Sequence, residues 1–346
     1  MSGAEPEIAD NILDPASVTY GDKIGEGGFA VVFKAQLKTT DGASISVAAK
    51  RLDGLDRTEI DYLSKLRHPN IITYFGYFKD DKHLMTAITI VTELAGNGDL
   101  KSHLRSSTDP LVHDLSQKWI TEAAEGIQYL HQKGVVHRDV KSANYLLMSD
   151  NTLKLGYFGL AKDLDETMST VSSGTVRWMA PEVVRDLKRS KKSDVYAYTI
   201  VVWEILHRGR PFDELETDLA IMTAVCDGER PVIRDGCLDR FRWIMENGWH
   251  WDYQQRPTMD EIVSILEADE GKSMDSIMED MKRADQKNKK ALESYLFHPE
   301  ADSEMQKSLE KADRQADDHS KEMDELEELK RRMKKRGKEK RTKKGK

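Results

Sequence analysis

The sequence predicts an α+β protein in which a small, strand-rich lobe precedes a larger helical lobe. In the first part, β-branched and aromatic runs are bounded by turn residues, at Val31–Phe33, Ser44–Ala49, Ile71–Phe78 and Ala87–Glu93. After Gly98 the apolar residues follow helical spacing, as in Leu115–Gln132. A further helix is predicted from Thr258, where a capping box with Glu261 marks the first turn.

Composition divides the 346 residues into three zones. Residues 1–18 are polar and are predicted to form a disordered leader. Residues 19–268 form the predicted folded body, with the small lobe over 19–93 and the large lobe over 98–268. Residues 269–346 are rich in charge and are predicted to form a helical tail that ends in a disordered basic segment.

Cysteine content and hydropathy predict a reduced, intracellular protein. Its two cysteines cannot form a disulfide framework, and the acidic first residues lack the apolar region of a signal peptide. The most apolar run, Val195–Leu206, is far shorter than the ~20 residues of a membrane helix. We therefore expect a cytoplasmic protein without a transmembrane segment, with a nuclear location as the alternative.

The net charge of −8 conceals a strong asymmetry. Residues 331–346 hold 11 of the 53 Lys and Arg residues and one of the 61 acidic residues, which leaves −18 on the rest of the chain. A basic end of this kind is a candidate for binding RNA, an anionic surface or a nuclear import receptor. The alternative is a solvated, disordered end without a ligand.

A glycine-rich stretch lies between the first two predicted strands. Gly25, Gly27 and Gly28 precede Val32 in the order G-x-G-x-x-A-x-V. Glycines let backbone N–H groups approach phosphates closely, so the stretch is a candidate for a loop that covers a nucleotide. No helix follows it, which excludes a Rossmann dinucleotide site. The alternative is a hairpin that only turns the chain.

Lys50 ends the next predicted strand, directly after Ala48 and Ala49. Behind a glycine-rich loop, such a lysine is a candidate point charge for phosphates. It then needs a counter-charge, and Glu59 on a short predicted helix is the candidate. The alternative is an ordinary lysine at the end of a strand.

Residues 137–144 read H-R-D-V-K-S-A-N, which matches the H-R-D-x-x-x-x-N catalytic loop of protein kinases. Further marks of that family follow in its order: T-V-R-W-M-A-P-E at 175–182, S-D-V-Y at 193–196, W-E at 203–204, P-F at 211–212 and R-P-T at 256–258. Residues 19–268 therefore resemble the protein kinase family. Within it they are most similar to the tyrosine-kinase-like serine/threonine group, nearest to mixed-lineage and ZAK-type MAP kinase kinase kinases.

The resemblance implies the bilobal kinase fold, with ATP and Mg²⁺ as cofactors. Asp139 would accept the substrate hydroxyl proton, Lys141 would steady the γ-phosphate and Asn144 would hold Mg²⁺. Lys50 would contact the ATP phosphates and pair with Glu59. The remaining implied nucleotide-binding residues form the glycine loop, the adenine sandwich, the gatekeeper and the hinge: Gly25, Gly27, Gly28, Val32, Ala48, Leu146, Thr92, Glu93 and Ala95. Glu182 and Arg256 would form a structural ion pair.

One position departs from the family. Residues 156–159 read G-Y-F-G, so Tyr157 occupies the place of the metal-binding D-F-G aspartate while Phe158 and Gly159 keep the register. A phenol has a pKa of about 10 and is neutral at pH 7, whereas Mg²⁺ prefers hard anionic oxygens. Losing one such contact costs roughly 10²–10³ in rate, and we expect weak or absent Mg²⁺ binding.

Three functions follow from these observations. The first is a pseudokinase that binds ATP and acts as a scaffold or allosteric partner for signalling proteins of a kinase cascade. The second is an active serine/threonine kinase of a MAP kinase cascade, in which Tyr157 is a variant of the aspartate. The third is an RNA- or partner-binding protein that acts through its basic tail.

Two further segments are candidates for regulation and assembly. The predicted activation segment offers five phosphate acceptors, Thr167, Ser169, Thr170, Ser172 and Ser173, and Arg138 provides a partner for a phosphate. In the tail, apolar residues repeat at alternating spacings of three and four within residues 300–335. This spacing predicts a weak coiled-coil homodimer, and the alternative is a solvated single helix.

Overall fold

The computed structural model describes residues 11–297, apart from 28–29, 41, 54–56, 81–86, 107–112, 164–174 and 270. The chain divides into one unit that ends at Ile277 and a second that begins at Met278. The first unit holds both lobes and extends past the predicted boundary at residue 268. Four predicted features lie outside the described residues: Gly28, the five phosphate acceptors, the repeat within 300–335 and the basic end at 331–346.

An antiparallel five-stranded sheet builds the small lobe, in the order β1-β2-β3-β5-β4. Its elements are β1 (Val18–Gly27), β2 (Ala30–Lys38), β3 (Ser44–Asp53), α1 (Thr58–Leu63), β4 (Tyr74–Asp80) and β5 (Ala87–Glu93). Alternate residues of the strands form a buried apolar cluster that includes Val47, Ala49 and Val91. Because successive side chains of a strand point to opposite faces, the residues between them face the other side of the sheet.

The end of the leader pairs with the edge of this sheet. Leu13 N–H donates to Tyr77 O at 2.8 Å, and Tyr77 N–H donates to Asn11 O at 2.9 Å. Gly76 makes room for this contact, since a Cβ on it would lie 2.4 Å from Asn11 O. For the part that the structure describes, this differs from the predicted disordered leader, because the unpaired edge of β4 offers backbone partners.

The large lobe is mainly helical. Its elements are α2 (Leu100–Ser106), α3 (His113–Gln132), β6 (Val135–Val136), β7 (Tyr145–Leu147), β8 (Leu153–Leu155), β9 (Lys162–Asp163), α4 (Pro181–Asp186), α5 (Lys191–His207), α6 (Asp218–Cys226), α7 (Asp239–Gly248) and α8 (Met259–Glu267). Helix α5 is buried on almost every side, as expected for the central helix of a core. Helices α3 and α7 pack against it.

The predicted α+β arrangement in two lobes is confirmed. Helix α8 begins at the predicted capping box of Thr258 and Glu261. Helix α9 (Met274–Phe297) follows, and Ile277 in its first turn is buried. In the part of the chain that the structure describes, no helix is both long and apolar enough to cross a membrane.

Candidate active site

A cleft of about 420 Å³ is lined by residues of both lobes. Most of the predicted nucleotide-binding residues lie in it: Gly25, Val32, Ala48, Lys50, Glu59, Thr92, Glu93, Ala95 and Leu146, together with Tyr157. Its walls are mainly apolar, with a few charged side chains, Lys50 and Glu59 at one end and Glu93 at the other. This is the usual character of a site for a small organic ligand.

Strand register brings the roof of this cleft together. Val32 on β2 lies opposite Lys50 on β3, and Ala48 on β3 lies opposite Thr92 on β5. Since residues two apart on a strand share a face, Ala48 and Lys50 point to the same side of the sheet. Ala48 and Thr92, which are 44 residues apart in sequence, thus become neighbours over the cleft.

Lys50 is held at the charged end of the cleft by two groups of this chain. Its Nζ lies 2.5 Å from Glu59 Oε2, and the two side chains are only 16% and 8% exposed. The same Nζ lies 4.6 Å from the centroid of the Tyr157 ring. The geometry therefore agrees with the implied Lys50–Glu59 pair and adds an aromatic partner to it.

At the opposite end of the cleft, Glu93 is fixed by its own hydrogen bonds. Its Oε1 accepts from Thr73 N–H and from Lys154 Nζ, both at 2.7 Å. The carboxylate is thus committed to protein partners, while Leu94 and Ala95 line the cleft. Backbone groups of this segment are the candidates for contacting a base, as in the implied hinge.

The catalytic-loop residues form a compact polar cluster. Asp139 Oδ2 lies 2.8 Å from Lys141 Nζ and accepts from Asn144 Nδ2 at 2.9 Å. Lys141 Nζ also donates to Thr175 Oγ1 at 3.2 Å. Asp139 Oδ1 is buried, and no hydrogen-bond donor reaches it among the described residues. A hydroxyl donor is the natural partner for this oxygen, which suits the implied role of Asp139.

A buried carboxylate from α5 holds the loop in place. Asp194 accepts from the backbone N–H groups of His137 at 2.8 Å and Arg138 at 3.0 Å. His131 Nε2 lies 3.1 Å from the same carboxylate. Burial lowers the pKa of His137, whose Nε2 lies 3.0 Å from Gly156 O. The catalytic loop is therefore tied both to the central helix and to the segment that carries Tyr157.

Two more buried acids brace the loops around the catalytic cluster. Glu204 on α5 accepts from Ser142 Oγ at 2.7 Å and from Trp178 Nε1 at 2.8 Å, and burial raises its pKa from 4.5 to about 7. Glu182 forms a two-pronged ion pair with Arg256 at 2.7 and 2.8 Å. Their side chains are 3% and 0% exposed. The implied Glu182–Arg256 pair is thus present in the structure.

At the corner where the resemblance implies a metal-binding aspartate, Tyr157 presents a phenol instead. Burial, and next the nearby charges of Glu59 and Asp99, raise the pKa of the Tyr157 phenol, so it is neutral. Asn144 donates its amide nitrogen to Asp139, so its Oδ1 is the oxygen that would hold Mg²⁺. Within the described residues, no group of three or more acidic, His or Cys side chains is arranged to hold a metal ion.

Sequence reasoning missed several residues of the site. The cleft also contains apolar side chains that no motif marks: Ile24, Leu63, Ile72, Leu94 and Ile90. The alternation of β1 and β5 is the signal that points to two of them, because Ile24 and Ile90 alternate with residues on the other face. The bracing role of Glu204 depends on tertiary contacts, and a short sequence pattern does not reveal it.

Comparison with known proteins identifies the class that this cleft and catalytic loop define. The family model for protein tyrosine and serine/threonine kinases matches residues 18–266, which is most of the chain. The chain therefore belongs to the protein tyrosine and serine/threonine kinase family. Members of this family normally use ATP and Mg²⁺.

Relatives place the domain more narrowly. Mitogen-activated protein kinase kinase kinase 7 of Homo sapiens is 33% identical over 264 residues, covering 73% of this chain and 42% of that protein. The protein of the same name from Drosophila melanogaster is 33% identical over 261 residues, covering 73% and 38%. Two serine/threonine-protein kinase/receptor proteins of Acanthamoeba polyphaga mimivirus are each 32% identical, covering 74% of this chain. The chain spans between 15% and 44% of the length of these relatives and the bovine one.

Proposed function

We propose that this protein is a kinase-family signalling protein that binds ATP in the cleft but is impaired in phosphotransfer. It acts as a scaffold or allosteric partner for proteins of a MAP kinase cascade in the cytoplasm. The names of its relatives support the cascade. The apolar cleft with Lys50 at its charged end supports nucleotide binding.

A single observation supports the proposal that phosphotransfer is impaired. Tyr157 takes the place of the D-F-G aspartate, and its ring faces Lys50 rather than offering an anionic oxygen. Without that oxygen, little binding energy comes from a metal that bridges the phosphates. The retained contacts to ATP are then the cleft walls and Lys50, which do not need a metal.

Thermal stabilisation by ATP tests this function, measured in EDTA and in Mg²⁺. A ligand that binds only the folded state stabilises it by RT ln(1 + [L]/Kd). We expect nearly equal stabilisation in the two buffers for the unmodified protein, and a clear gain from Mg²⁺ in Tyr157→Asp. Stabilisation of the unmodified protein only when Mg²⁺ is present would contradict the proposal.

An active serine/threonine kinase is the second candidate, and the catalytic cluster favours it. Asp139, Lys141 and Asn144 contact one another, and Lys141 reaches Thr175. Transfer of labelled phosphate to a generic serine/threonine substrate distinguishes the two functions. Transfer by the unmodified protein that disappears in Asp139→Asn would support the active kinase and overturn the first candidate.

A further inference from the structure

The charged end of the cleft contains a contact that the family's chemistry does not use. Lys50 Nζ lies 4.6 Å from the centroid of the Tyr157 ring and 2.5 Å from Glu59 Oε2. An ammonium within about 6 Å of an aromatic face is attracted by the ring quadrupole, and more strongly where water is excluded. Lys50 therefore has an anionic and an aromatic partner from its own chain.

Neighbouring contacts, rather than its own backbone preference, set the position of the ring. Tyr157 has φ = 60°, a left-handed conformation that a bulky residue rarely adopts. His137 Nε2 lies 3.0 Å from Gly156 O on one side. On the other side the buried Phe158 ring packs edge-on against His137 at 5.2 Å. These contacts on either side of Tyr157 place its ring beside Lys50.

Lys50 and Lys141 each have an acidic partner within the protein. Lys50 is paired with Glu59, and Lys141 lies 2.8 Å from Asp139. Asp99 also lines the cleft. The Lys50–Glu59 pair is compatible with bound phosphates, but a triphosphate that enters without a metal must compete with the Tyr157 ring for the ammonium of Lys50. A nucleoside meets no such competition, because its base needs only the apolar walls and the hinge.

We propose that Tyr157 is a positioning residue whose ring holds Lys50 against Glu59 when no nucleotide is bound. By occupying Lys50, the ring makes the cleft favour adenine ligands of low charge, such as adenosine, over ATP. The first part concerns the protein alone. The second part rests on the proposed binding of adenine nucleotides in this cleft.

Three variants of Tyr157 test the proposal. Tyr157→Phe is the matched control, because it keeps the aromatic face. Tyr157→Asn removes the ring and suits the left-handed backbone, which Asn tolerates well. Tyr157→Leu is a second ring-free variant that retains side-chain bulk, so that the comparison survives if one variant fails to fold. All measurements are made in EDTA.

Hydrogen exchange of the α1 backbone, which carries Glu59, is the first measurement and uses no ligand. We expect the unmodified protein and Tyr157→Phe to exchange alike. The ring-free variants should exchange roughly threefold faster or more, because a cation–π contact of this kind is lost. Equal exchange in all four proteins would overturn the positioning role.

Calorimetric affinities for adenosine, ADP and ATP are the second measurement. The unmodified protein and Tyr157→Phe should bind adenosine at least as tightly as ATP. In the ring-free variants the ratio should move towards ATP by roughly threefold or more. A residue that only supports the fold would weaken all three ligands together.

Different results of the two measurements would contradict different parts of the proposal. A preference of the unmodified protein for ATP over adenosine in EDTA would overturn the inferred ligand class. Absence of binding by every adenine ligand would overturn the proposed function and the ligand class together. In that case the exchange of α1 still decides whether Tyr157 positions Lys50.

Discussion

Two regions of the molecule are held by different kinds of contact. One is the support of the catalytic loop, formed by the buried acids Asp194, Glu204 and Glu182, and the other is the corner where Tyr157 contacts Lys50. In the support, the buried carboxylates of Asp194, Glu204 and Glu182 each accept two or more hydrogen bonds from neighbouring segments. At the corner, the ring of Tyr157 contacts the ammonium of Lys50, and the residue as a whole is 36% exposed. Satisfied buried acids specify one arrangement strongly, whereas a single cation–π contact contributes only about 0.5–2 kcal/mol.

This difference shows that the fold and the chemistry rest on separate residues. The contacts of Asp194, Glu204 and Glu182 involve no metal ligand, so the catalytic loop keeps its shape with Tyr157 in place. Loss of the metal-binding aspartate is therefore compatible with a well-packed kinase domain. Variants of the two regions test whether the support and the corner are independent.

The largest effect is expected when the buried ion pair of the support is broken. Arg256→Met leaves the Glu182 carboxylate buried without its partner, and removing one member of such a pair costs about 3–5 kcal/mol. We expect the free energy of unfolding in urea to fall by that amount. Arg242→Ala is the matched control, because its 3.5 Å pair with Glu246 is partly exposed and should change stability by less than about 1 kcal/mol.

A double variant and the comparison with the control show whether the unpaired charge causes the loss of stability. The double variant Glu182→Leu/Arg256→Met should recover part of the lost stability, because no unpaired charge stays buried. Equal losses for Arg256→Met and Arg242→Ala would mean that the buried pair does not support the fold in the way that its geometry indicates.

The second prediction changes the corner and leaves the support intact. Tyr157→Asp restores an anionic oxygen at the family's metal position, and its left-handed backbone suits Asp. We expect phosphotransfer to rise by at least roughly 10², the size of one lost electrostatic contact to a transition state. The rate of labelled phosphate transfer at saturating Mg²⁺ measures it.

Asp139→Asn in the same background is the control for this gain and should abolish it, because the substrate hydroxyl then lacks its base. Activity of Tyr157→Asp that stays at background would show that other parts of the cleft have also diverged. Activity of the unmodified protein equal to that of the variant would show that the metal site works without the aspartate.

The third prediction concerns the pH dependence of the support. Burial raises the pKa of Glu204 from 4.5 to about 7 in the folded protein. Its contribution to stability is therefore fully present below pH 4.5 and is lost as the pH rises through about 7, by about 3 kcal/mol in all. Glu204→Gln should flatten this part of the pH profile of the unfolding free energy.

Other carboxyl and imidazole groups of the protein titrate in the same range, so the difference between the two proteins is the quantity to measure. Gln keeps one acceptor for Trp178 and can donate to Ser142, which preserves the bracing contacts. A difference profile that is level between pH 4.5 and 7 would contradict the raised pKa of Glu204.

Much of the fold could be predicted from the sequence, because local residue patterns determine where many strands and helices begin and end. The strand at Ala87–Glu93 matches β5 at both ends, and the capping box of Thr258 begins α8. The predicted strand at Ile71–Phe78 was displaced: β4 spans Tyr74–Asp80, while Ile71 forms an isolated bridge with Leu155. Long-range pairing overrides local propensity at such a position.

The site was predicted less completely, for a physical reason. Motif residues such as Asp139 and Lys50 are marked by their spacing, and the structure places them at the cleft and catalytic loop. The contact between Lys50 and the Tyr157 ring joins residues 107 positions apart and depends on a left-handed backbone. The substitution is visible in sequence, but where its side chain goes depends on the surrounding packing.

The smallest effect is expected at the N-terminus of α8, two residues after Arg256 of the support. Thr258 Oγ1 accepts from Glu261 N–H at 3.2 Å, and Glu261 Oε2 accepts from Thr258 N–H at 2.6 Å. Removing an N-cap oxygen typically costs about 1 kcal/mol, so Thr258→Ala should lower the urea unfolding free energy by that amount, while Thr258→Ser should keep it. Adenine-ligand affinity should stay the same in both variants, because α8 contributes no residue to the cleft. A change in adenine-ligand affinity with Thr258→Ala would show that the support and the cleft are coupled rather than independent.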